Sequence, residues 1–374
     1  MCLTKRKQSL PKSKDYDKIQ LLIKKDFPYL MFANKRRLLI SILITAVILA
    51  TGIAIAWYTP VSIPDGFAGQ MTVYTRNKPN AEVTVAVIKE GNTEISSYGH
   101  DGVRIPVRER YYEIGDITST FTGAIAARAV AEGKLSPNER ISELLPLPRA
   151  VYSPSIYELL THSSAYSSYA PDLSGPANSK HNPYSGIDAN RLVTEMNNFK
   201  LTFKPPYLYS YSRFGTAAAG ACLSQIYDVD FYSILTIFAS EELGLKHTFV
   251  SLDNRVENGW VWNDSDAYIA SLSLTSTIGD MAAYAKLYLG NGPEYLSLAT
   301  DPSYEINMEN DIGYFWNLTE HNNIIYHTGE TGHYAAALII DREKRMAVVV
   351  LSNYRNDRYG NVYNIGRVLL EESK

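Results

Sequence analysis

The stretch EIGDITSTFTG, Glu113–Gly123, carries the side chains that are best placed to do chemistry. Gly115 marks a bend and Asp116 stands where a helix begins, so Asp116 and Ser119 lie on one face of the first helical turn. The positive potential of a helix N-terminus stabilises an anion that forms there, which favours a nucleophile at this place. The stretch therefore predicts a site at a helix start, with a carboxylate and a hydroxyl one turn apart.

Neither side chain is a conventional nucleophile by itself. A carboxylate with an ordinary pKa of about 3.9 is charged at neutral pH, but its acyl product with an ester or amide is an unstable anhydride. Ser119 needs a base before its hydroxyl can act as a nucleophile. Asp116 also has a structural interpretation, because aspartate is among the best N-cap residues and its charge suits the helix dipole. The seven histidines lack the spacing of a metal site, so we predict neither a metal nor a cofactor.

The elements that must position these residues come from both ends of the chain. Residues 82–89 alternate and are β-branched, EGN forms a turn, and 93–99 returns, which predicts a hairpin. The phrases IIYHTG, YAAALIID and RMAVVVLSNY, within 324–354, predict strands that pair with this hairpin, and a closing helix begins near Asn361. Residues 140–300 indicate a mainly helical insertion between the two halves of the sheet.

A membrane segment is predicted at 38–58, LLISILITAVILATGIAIAWY, which has 21 residues and no charge. That length is about what a helix needs to cross a bilayer core. Arg36 and Arg37 precede it and Trp57 and Tyr58 close it, so the positive-inside rule predicts a single-pass protein of the cell membrane with a cytoplasmic N-terminus. Cleavage as a signal peptide, at the small-residue site AIA, is the alternative; the long apolar run and the preceding arm favour retention.

The chain thus divides into a basic cytoplasmic arm at 1–37, the span at 38–58, a linker at 59–80 and an extracytoplasmic body at 81–374. The arm holds eleven Lys or Arg and three Asp, a net charge of +8, so the remainder carries −3 − 8 = −11. An acidic body argues against a nucleic-acid partner. The two cysteines, one in the arm and one in the body, fall on opposite sides of the membrane and do not pair.

Five phrases resemble, in order, the motifs of the serine β-lactamase and DD-peptidase superfamily, in its class C β-lactamase-related and esterase-like branch. They are YYEIGDITSTFTGAIAARAVAEGKLSPNERISELLP, SIYELLTHSSAY, FKPPYLYSYSRFG, LTSTIGDMAAYAKLYL and IIYHTGETGHYAAALIIDREKRMAVVVLSN. The resemblance covers about Ala81 to Leu370. It implies an α/β (α+β) fold, an α/β/α sandwich with an antiparallel sheet plus an all-helical subdomain, preceded here by one transmembrane helix. The active site of this fold lies between the sandwich and the helical subdomain.

The resemblance assigns a role to particular positions. Asp116 stands where the family has its nucleophilic serine, Ser119 where it has the general-base lysine, and Arg213 where it has an asparagine. Tyr211 matches the family tyrosine that relays protons. Without the lysine, Ser119 needs another base, and the resemblance implies that His327 or Tyr211 reaches it only if the backbone has shifted by several ångströms. The third motif, whose strand aligns the substrate, is retained in full. It consists of His327, Thr328 and Gly329.

These replacements imply a membrane-anchored family member without conventional serine acyl transfer. Such a pseudoenzyme of the bacterial cell envelope would bind a ligand or a protein partner; the family implies a peptidoglycan-like cell-wall peptide or D-amino-acid ligand, and a membrane protein is a further candidate partner. The alternative is an esterase, D-alanyl peptidase or β-lactamase that uses Ser119 or Asp116 as an unconventional nucleophile. A third hypothesis is a structural partner of another membrane protein, with a vestigial pocket.

Asp116 and Arg213 also lead to a geometric prediction. Their positions face one pocket in the family, and an unpaired charge in a cleft is costly. We therefore expect an ion pair, direct or through one water, in the space that a substrate amide would occupy.

Overall fold

The structure is a computed structural model that divides into two units, Met1–Ser62 and Ile63–Lys374. The residues it describes are 39–40, 42–49, 63–148, 152–168, 181–201, 208–356 and 361–373. In the first unit, the described residues are helical. No helix within the described ranges is long and apolar enough to cross a bilayer, and about half of the predicted span at 38–58 lies outside those ranges.

Strands from both ends of the second unit build its main sheet. The described strands are β1 Val83–Lys89, β2 Asn92–Tyr98, β3 Arg104–Ile105, β4 Tyr112–Glu113, β5 Phe249–Val250, β6 Leu274–Ser276, β7 Tyr304–Asn307, β8 Asn310–Ile312, β9 Asn317–Thr319, β10 Ile324–Glu330, β11 Ala335–Asp341 and β12 Met346–Ser352. Nine of them form an antiparallel sheet in the order β3-β2-β1-β12-β11-β10-β9-β8-β7, and β4-β6-β5 form a small second sheet. The predicted hairpin is confirmed as β1 and β2, and β1 pairs with β12 along its whole length.

Helices surround this sheet and fill the middle of the sequence. The described α-helices of the second unit are α1 Phe67–Tyr74, α2 Thr118–Ala131, α3 Ile141–Leu144, α4 Ile156–Leu160, α5 Ala189–Asn198, α6 Arg213–Tyr227, α7 Phe231–Ile237, α8 Ile269–Leu272, α9 Ile278–Lys286, α10 Tyr295–Thr300 and α11 Val362–Glu372. The N-cap of α11 is Asn361, whose side chain accepts a hydrogen bond from the backbone N–H of Asn364. The sequence predictions of a closing helix and a helical insertion are therefore confirmed.

Helix α1 corrects the prediction of a linker over 59–80. Phe67, Met71 and Tyr74 follow helical spacing, and all three are buried. The Glu372 carboxylate accepts a hydrogen bond from the backbone N–H of Phe67 at 2.9 Å, which fastens α1 to the last helix. Pro and Gly around this short helix concealed it, because they are typical of linkers as well as of helix ends.

Both faces of the sheet centre are covered. All residues of β11 and β12 are buried, and their side chains alternate between two apolar clusters. Along β12, Val348 and Val350 pack with α1 and α11, whereas Val349 and Leu351 belong to the larger cluster with the other helices. The result is a layer of helices on each side of an antiparallel sheet, which agrees with the mixed α/β architecture expected from the resemblance.

Helix α2 lies inside the larger cluster. Eleven of its 14 residues are buried, including several small or hydroxyl-bearing ones. A Cβ on Gly123 would lie 2.3 Å from the Tyr314 carbonyl oxygen, so only glycine allows this approach. The Phe121 ring stacks on the Tyr284 ring with centroids 4.1 Å apart. Because α2 is held on all sides, the turn at its start has a fixed position.

Candidate active site

The turn Gly115–Ile117 brings the start of α2 against strand β10. Gly115 has a φ of +50°, and a Cβ there would lie 2.6 Å from the backbone nitrogen of Glu330. On the strand side, a Cβ on Gly329 would lie 1.9 Å from the carbonyl oxygen of Ile114. Only glycine fits at both positions. These two glycines therefore allow the contact that places Asp116 beside the strand.

Asp116 forms the predicted ion pair with Arg213, and the contact is direct. The Arg213 Nε donates to Oδ1 at 2.5 Å and its second terminal nitrogen donates to Oδ2 at 2.6 Å, a two-pronged geometry that suits a carboxylate. The Tyr211 hydroxyl donates to Oδ1 at 2.9 Å. The N-cap interpretation of Asp116 is wrong, because its side chain accepts no capping hydrogen bond and is engaged by Arg213 instead.

The protonation states follow from this contact. Burial by itself raises the pKa of Asp116, but the charge and hydrogen bonds of Arg213 outweigh it, so the pKa is lowered. Burial likewise disfavours the charged form of Arg213, and Asp116 more than offsets this, so the Arg213 pKa is raised. Burial, followed by the charge of Asp116, holds the Tyr211 pKa well above its ordinary value. At neutral pH the pair is fully charged and Tyr211 is a neutral donor.

Ser119 lies directly against His327, with 3.2 Å between Oγ and Nε2. The expectation that this contact needs a backbone shift of several ångströms is wrong, because the two glycines let β10 approach α2 closely. The Ser119 hydroxyl donates to the Asp116 carbonyl at 2.7 Å. The His327 Nδ1 lies 2.7 Å from the Thr328 carbonyl oxygen, which makes Nδ1 the donor and leaves Nε2 as the basic nitrogen. Burial lowers the His327 pKa despite the attraction of Asp116, so the ring is neutral.

A second histidine, His162, supports this cluster and was missed in the sequence. It belongs to the phrase LLTHSSAY, which resembles the family as a whole phrase and does not by itself mark the histidine as part of the site. The backbone N–H of Ser212 donates to its Nδ1 at 3.2 Å, and its ring centroid lies 4.5 Å from that of Tyr211. Burial lowers its pKa to about 3, so it stays neutral. His162 therefore fixes the Tyr211 loop and the start of α6, and thereby the position of Arg213.

Glu113, three residues before Asp116, is another buried carboxylate that sequence reasoning did not single out. The backbone N–H of Trp260 donates to its Oε1 and the Thr331 hydroxyl to its Oε2, both at 2.5 Å. Burial raises its pKa to about 7, in spite of these two hydrogen bonds. Through the hydrogen bond from Thr331, Glu113 connects the segment before the Gly115–Ile117 turn to the residue that follows β10. Glu113 therefore helps to hold the turn and the strand together.

Access to the reactive groups is restricted. Ser119 is fully buried, and Asp116 and His327 expose only 5% and 3% of their surface. Arg213, which covers the carboxylate, exposes 12% of its side chain. Within the described ranges, no group of three or more His, Cys, Asp or Glu side chains is placed to hold a metal ion. The arrangement holds a charged pair and a neutral Ser–His contact, neither of which is open to solvent.

The sequence pattern of the β-lactamase family matches residues 75–370, which is most of the chain. This chain belongs to the β-lactamase family. The match includes both the turn at Gly115–Ile117 and strand β10. The seven positions that the resemblance assigns lie together in the fold, around the contacts of Asp116 with Arg213 and of Ser119 with His327.

Characterised relatives are distant. A β-lactamase of Pseudomonas fluorescens is 27% identical over 175 residues, which are 46% of this chain and 46% of that protein. A β-lactamase of Providencia stuartii is 28% identical over 181 residues, 47% of this chain and 44% of that protein. Protein flp of Staphylococcus aureus strain MW2 is 22% identical over 312 residues, 73% of this chain and 60% of that protein. The chain thus spans less than two thirds of the length of each of these relatives.

Solved structures share the fold. A class C β-lactamase superposes with a TM-score of 0.65 at 18% identity, covering 78% of this chain and 91% of that one. An octameric penicillin-binding protein homologue from Pyrococcus abyssi superposes with a TM-score of 0.61 at 19% identity, covering 78% and 73%. At such identities the likeness concerns the fold alone.

Proposed function

We propose that this β-lactamase-family protein is a membrane-anchored pseudoenzyme of the cell envelope, which binds a ligand or partner without forming an acyl-enzyme. The observation that carries the proposal is the direct contact of Asp116 with Arg213 at the family's nucleophile position. A serine there would present a free hydroxyl beside a base. Here a carboxylate is neutralised by two hydrogen bonds from a guanidinium, so its lone pairs are engaged and its nucleophilicity is low.

The position of the family lysine supports the same proposal. Ser119 has no amine that could act as a general base, and its hydroxyl donates a hydrogen bond to the Asp116 carbonyl. Ser119 is also fully buried. An acyl group could reach its hydroxyl only after the buried residues around it had moved.

Strand β10 supports binding as the retained activity. It pairs with β11 over residues 324–330, but with β9 only over 324–326. The motif His327-Thr328-Gly329 extends beyond the pairing with β9, so at these three residues one edge of the strand has no strand partner in the described part of the chain. An extended peptide adds to such an edge through main-chain hydrogen bonds. A cell-wall peptide or a D-amino-acid-containing ligand is the class that the family suggests for this edge.

The test of the inactive site is labelling of the full-length protein, in detergent or nanodiscs, with a fluorescent penicillin and a fluorophosphonate. We expect no covalent labelling, while an active class C β-lactamase labelled in parallel serves as the positive control. Labelling that is lost in Ser119→Ala would contradict the pseudoenzyme proposal and assign the nucleophile.

That outcome would support a second candidate, a serine hydrolase that uses Ser119 with His327 as its base. The specific observation in its favour is the 3.2 Å contact between Ser119 Oγ and the basic Nε2 of a neutral histidine. For this activity the Ser119 hydroxyl would have to turn its single proton from the Asp116 carbonyl to Nε2, which then accepts that proton as Oγ attacks. The Asp116–Arg213 pair would also have to leave room for the substrate. Labelling that both Ser119→Ala and His327→Ala abolish, without loss of folding, distinguishes this candidate from an unrelated reactive residue.

Ligand binding is tested by the melting temperature of the same protein. We expect a rise with a peptide that ends in D-alanyl-D-alanine, because a ligand that binds only the folded state stabilises it, and no rise with the L,L isomer. Equal shifts with both isomers, or none with either, would contradict a stereospecific cell-wall ligand and favour a scaffold that engages a membrane protein.

A further inference from the structure

One edge of the nine-stranded sheet carries exposed apolar and cationic side chains side by side. Val103 and Val107 expose 61% and 48% of their surface. Arg104 and Arg108 follow them in the chain and are exposed, as is Arg76 just after α1. We call these five residues the edge patch. Among the described residues, none of its three arginines has an ion-pair partner within 4.0 Å, although other arginines of the body do.

The edge patch is fastened to the first helix of the body. Arg104 of β3 pairs with Tyr98 of β2, and the Tyr98 ring lies 5.3 Å from the ring of Phe67, the first residue of α1. At the other end of α1, the Thr75 hydroxyl accepts a hydrogen bond from the backbone N–H of Gly102 at 2.7 Å. The patch and α1 therefore move as one piece.

Helix α1 is in turn the first element after the predicted membrane span. Eight residues separate its start at Phe67 from Tyr58, the last residue of that span. A chain of that length reaches at most about 30 Å. The length of the chain thus limits Phe67 to about that distance from the end of the predicted span.

Charge distinguishes this edge from the rest of the body. The chain after residue 37 has a net charge of −11, so most of the surface is repelled by an anionic membrane. Acidic residues also lie near the patch: Asp101 and Glu109 are exposed, and Arg104 lines a cavity together with Glu90 and Glu94. The opposite edge of the sheet, formed by β7, has an exposed apolar residue, Met308, beside acidic ones. The edge patch is distinguished by three arginines without an ion-pair partner among the described residues, two of which directly follow an exposed valine in the chain.

We propose that the edge patch rests on the anionic headgroup region of the bilayer that carries the anchor. The two valines enter the boundary between headgroups and acyl chains, and the arginines contact lipid phosphates, which is how amphipathic surfaces bind membranes. This inference rests on the anchor in the proposed function. It adds an orientation: β3 faces the membrane and β7 faces away from it.

The experiment uses the full chain, with Cys2→Ser, reconstituted in phosphatidylcholine vesicles with or without phosphatidylglycerol. A fluorophore is attached at Val107→Cys, and in a matched control protein at Met308→Cys; Cys222 is buried and stays unlabelled. Lipids with a nitroxide on the headgroup quench a fluorophore that lies at the surface. We expect quenching at position 107 in phosphatidylglycerol vesicles and not at position 308. Arg104→Gln with Arg108→Gln should reduce it, since each basic residue at an anionic surface contributes about a fivefold factor in affinity, and added salt should do the same.

The outcomes separate the patch from the anchor. Release of the protein from vesicles by alkaline carbonate would contradict the anchor itself. Retention with equal quenching at 107 and 308, or with none at 107, would overturn the edge patch and leave the anchor standing. Disulfide cross-links between copies of the unlabelled Val107→Cys protein under a mild oxidant, without quenching of the labelled protein by lipid, would show that a second copy covers the patch and would also overturn the proposal.

Discussion

Glu113 and Asp116 lie three residues apart and are buried to the same extent, at 3% and 5% exposure. Their neighbours differ in kind. Asp116 receives two hydrogen bonds from a guanidinium, whereas Glu113 receives one from a backbone N–H and one from a hydroxyl. The pKa of Asp116 is lowered, and that of Glu113 is raised to about 7. Burial alone therefore does not decide the charge of a carboxyl group; a cationic partner does.

The pH dependence of stability has opposite signs at the two positions. Asp116, with its pKa below the ordinary 3.8, contributes stability that is present above that value and is lost as the pH falls through the lowered pKa. Glu113, with its pKa raised from 4.5 to about 7, contributes stability that is fully present below 4.5 and is lost as the pH rises through 7. At neutral pH, the first carboxylate is fully charged and the second is partly protonated.

The largest expected effect comes from breaking the ion pair. Arg213→Ala should lower the free energy of unfolding by about 3 kcal/mol, because it leaves a buried carboxylate without its cation. Adding Asp116→Ala to Arg213→Ala should lower the free energy of unfolding by little more. Urea unfolding of both single variants and the double variant measures the coupling. Arg255→Ala, which removes an ion pair with Asp253 whose two side chains are 57% and 54% exposed, is the control and should cost far less. Strictly additive costs for Arg213 and Asp116 would show that the two charges do not depend on each other.

A smaller effect, which depends on pH, is expected at Glu113. In Glu113→Gln, the amide oxygen accepts from Trp260 and the amide group donates to Thr331, so both hydrogen bonds are kept without a charge. At pH 5 the variant and the native protein should be about equally stable. At pH 8.5 the variant should be more stable, by on the order of 2 kcal/mol, because the native protein then buries an ionised carboxylate.

Unfolding curves from pH 5 to pH 9 measure this difference, and Glu109→Gln, at an exposed position, controls for the loss of one negative charge. Stability curves of Glu113→Gln and the native protein that run parallel over this range would mean that Glu113 does not titrate near neutral pH. The contrast with Asp116 would then be one of degree only.

The smallest expected effect is on catalysis. Asp116→Ser combined with Ser119→Lys restores the family residues at both positions, yet we expect nitrocefin hydrolysis no faster than the buffer background. The double variant removes the carboxylate that binds Arg213 and places a lysine in a fully buried position close to it, so two cations occupy one small site. Adding Arg213→Asn relieves this conflict and is the matched comparison. Robust turnover by the double variant would show that Arg213 does not block the site.

Much of the architecture was predictable from local patterns. Alternating β-branched residues predicted β1 and the C-terminal strands, because strand side chains alternate between two faces. The charges of Asp116 and Arg213, at positions that face one pocket in the family, predicted their ion pair. Helix α1 was missed because its eight residues are flanked by Pro and Gly, and β7 to β9 because strands of three or four residues carry too little periodicity.

The sequence by itself determined which reactive groups this protein has at the family's catalytic positions, since the identity of a side chain is local information. It also determined the membership in the β-lactamase family, since five motifs in order are specific. Only the tertiary structure decided that Ser119 meets His327, which is 208 positions away in the chain, and that Glu113 has no cationic partner. Such contacts depend on how closely β10 approaches α2, and two glycines on different elements set that distance.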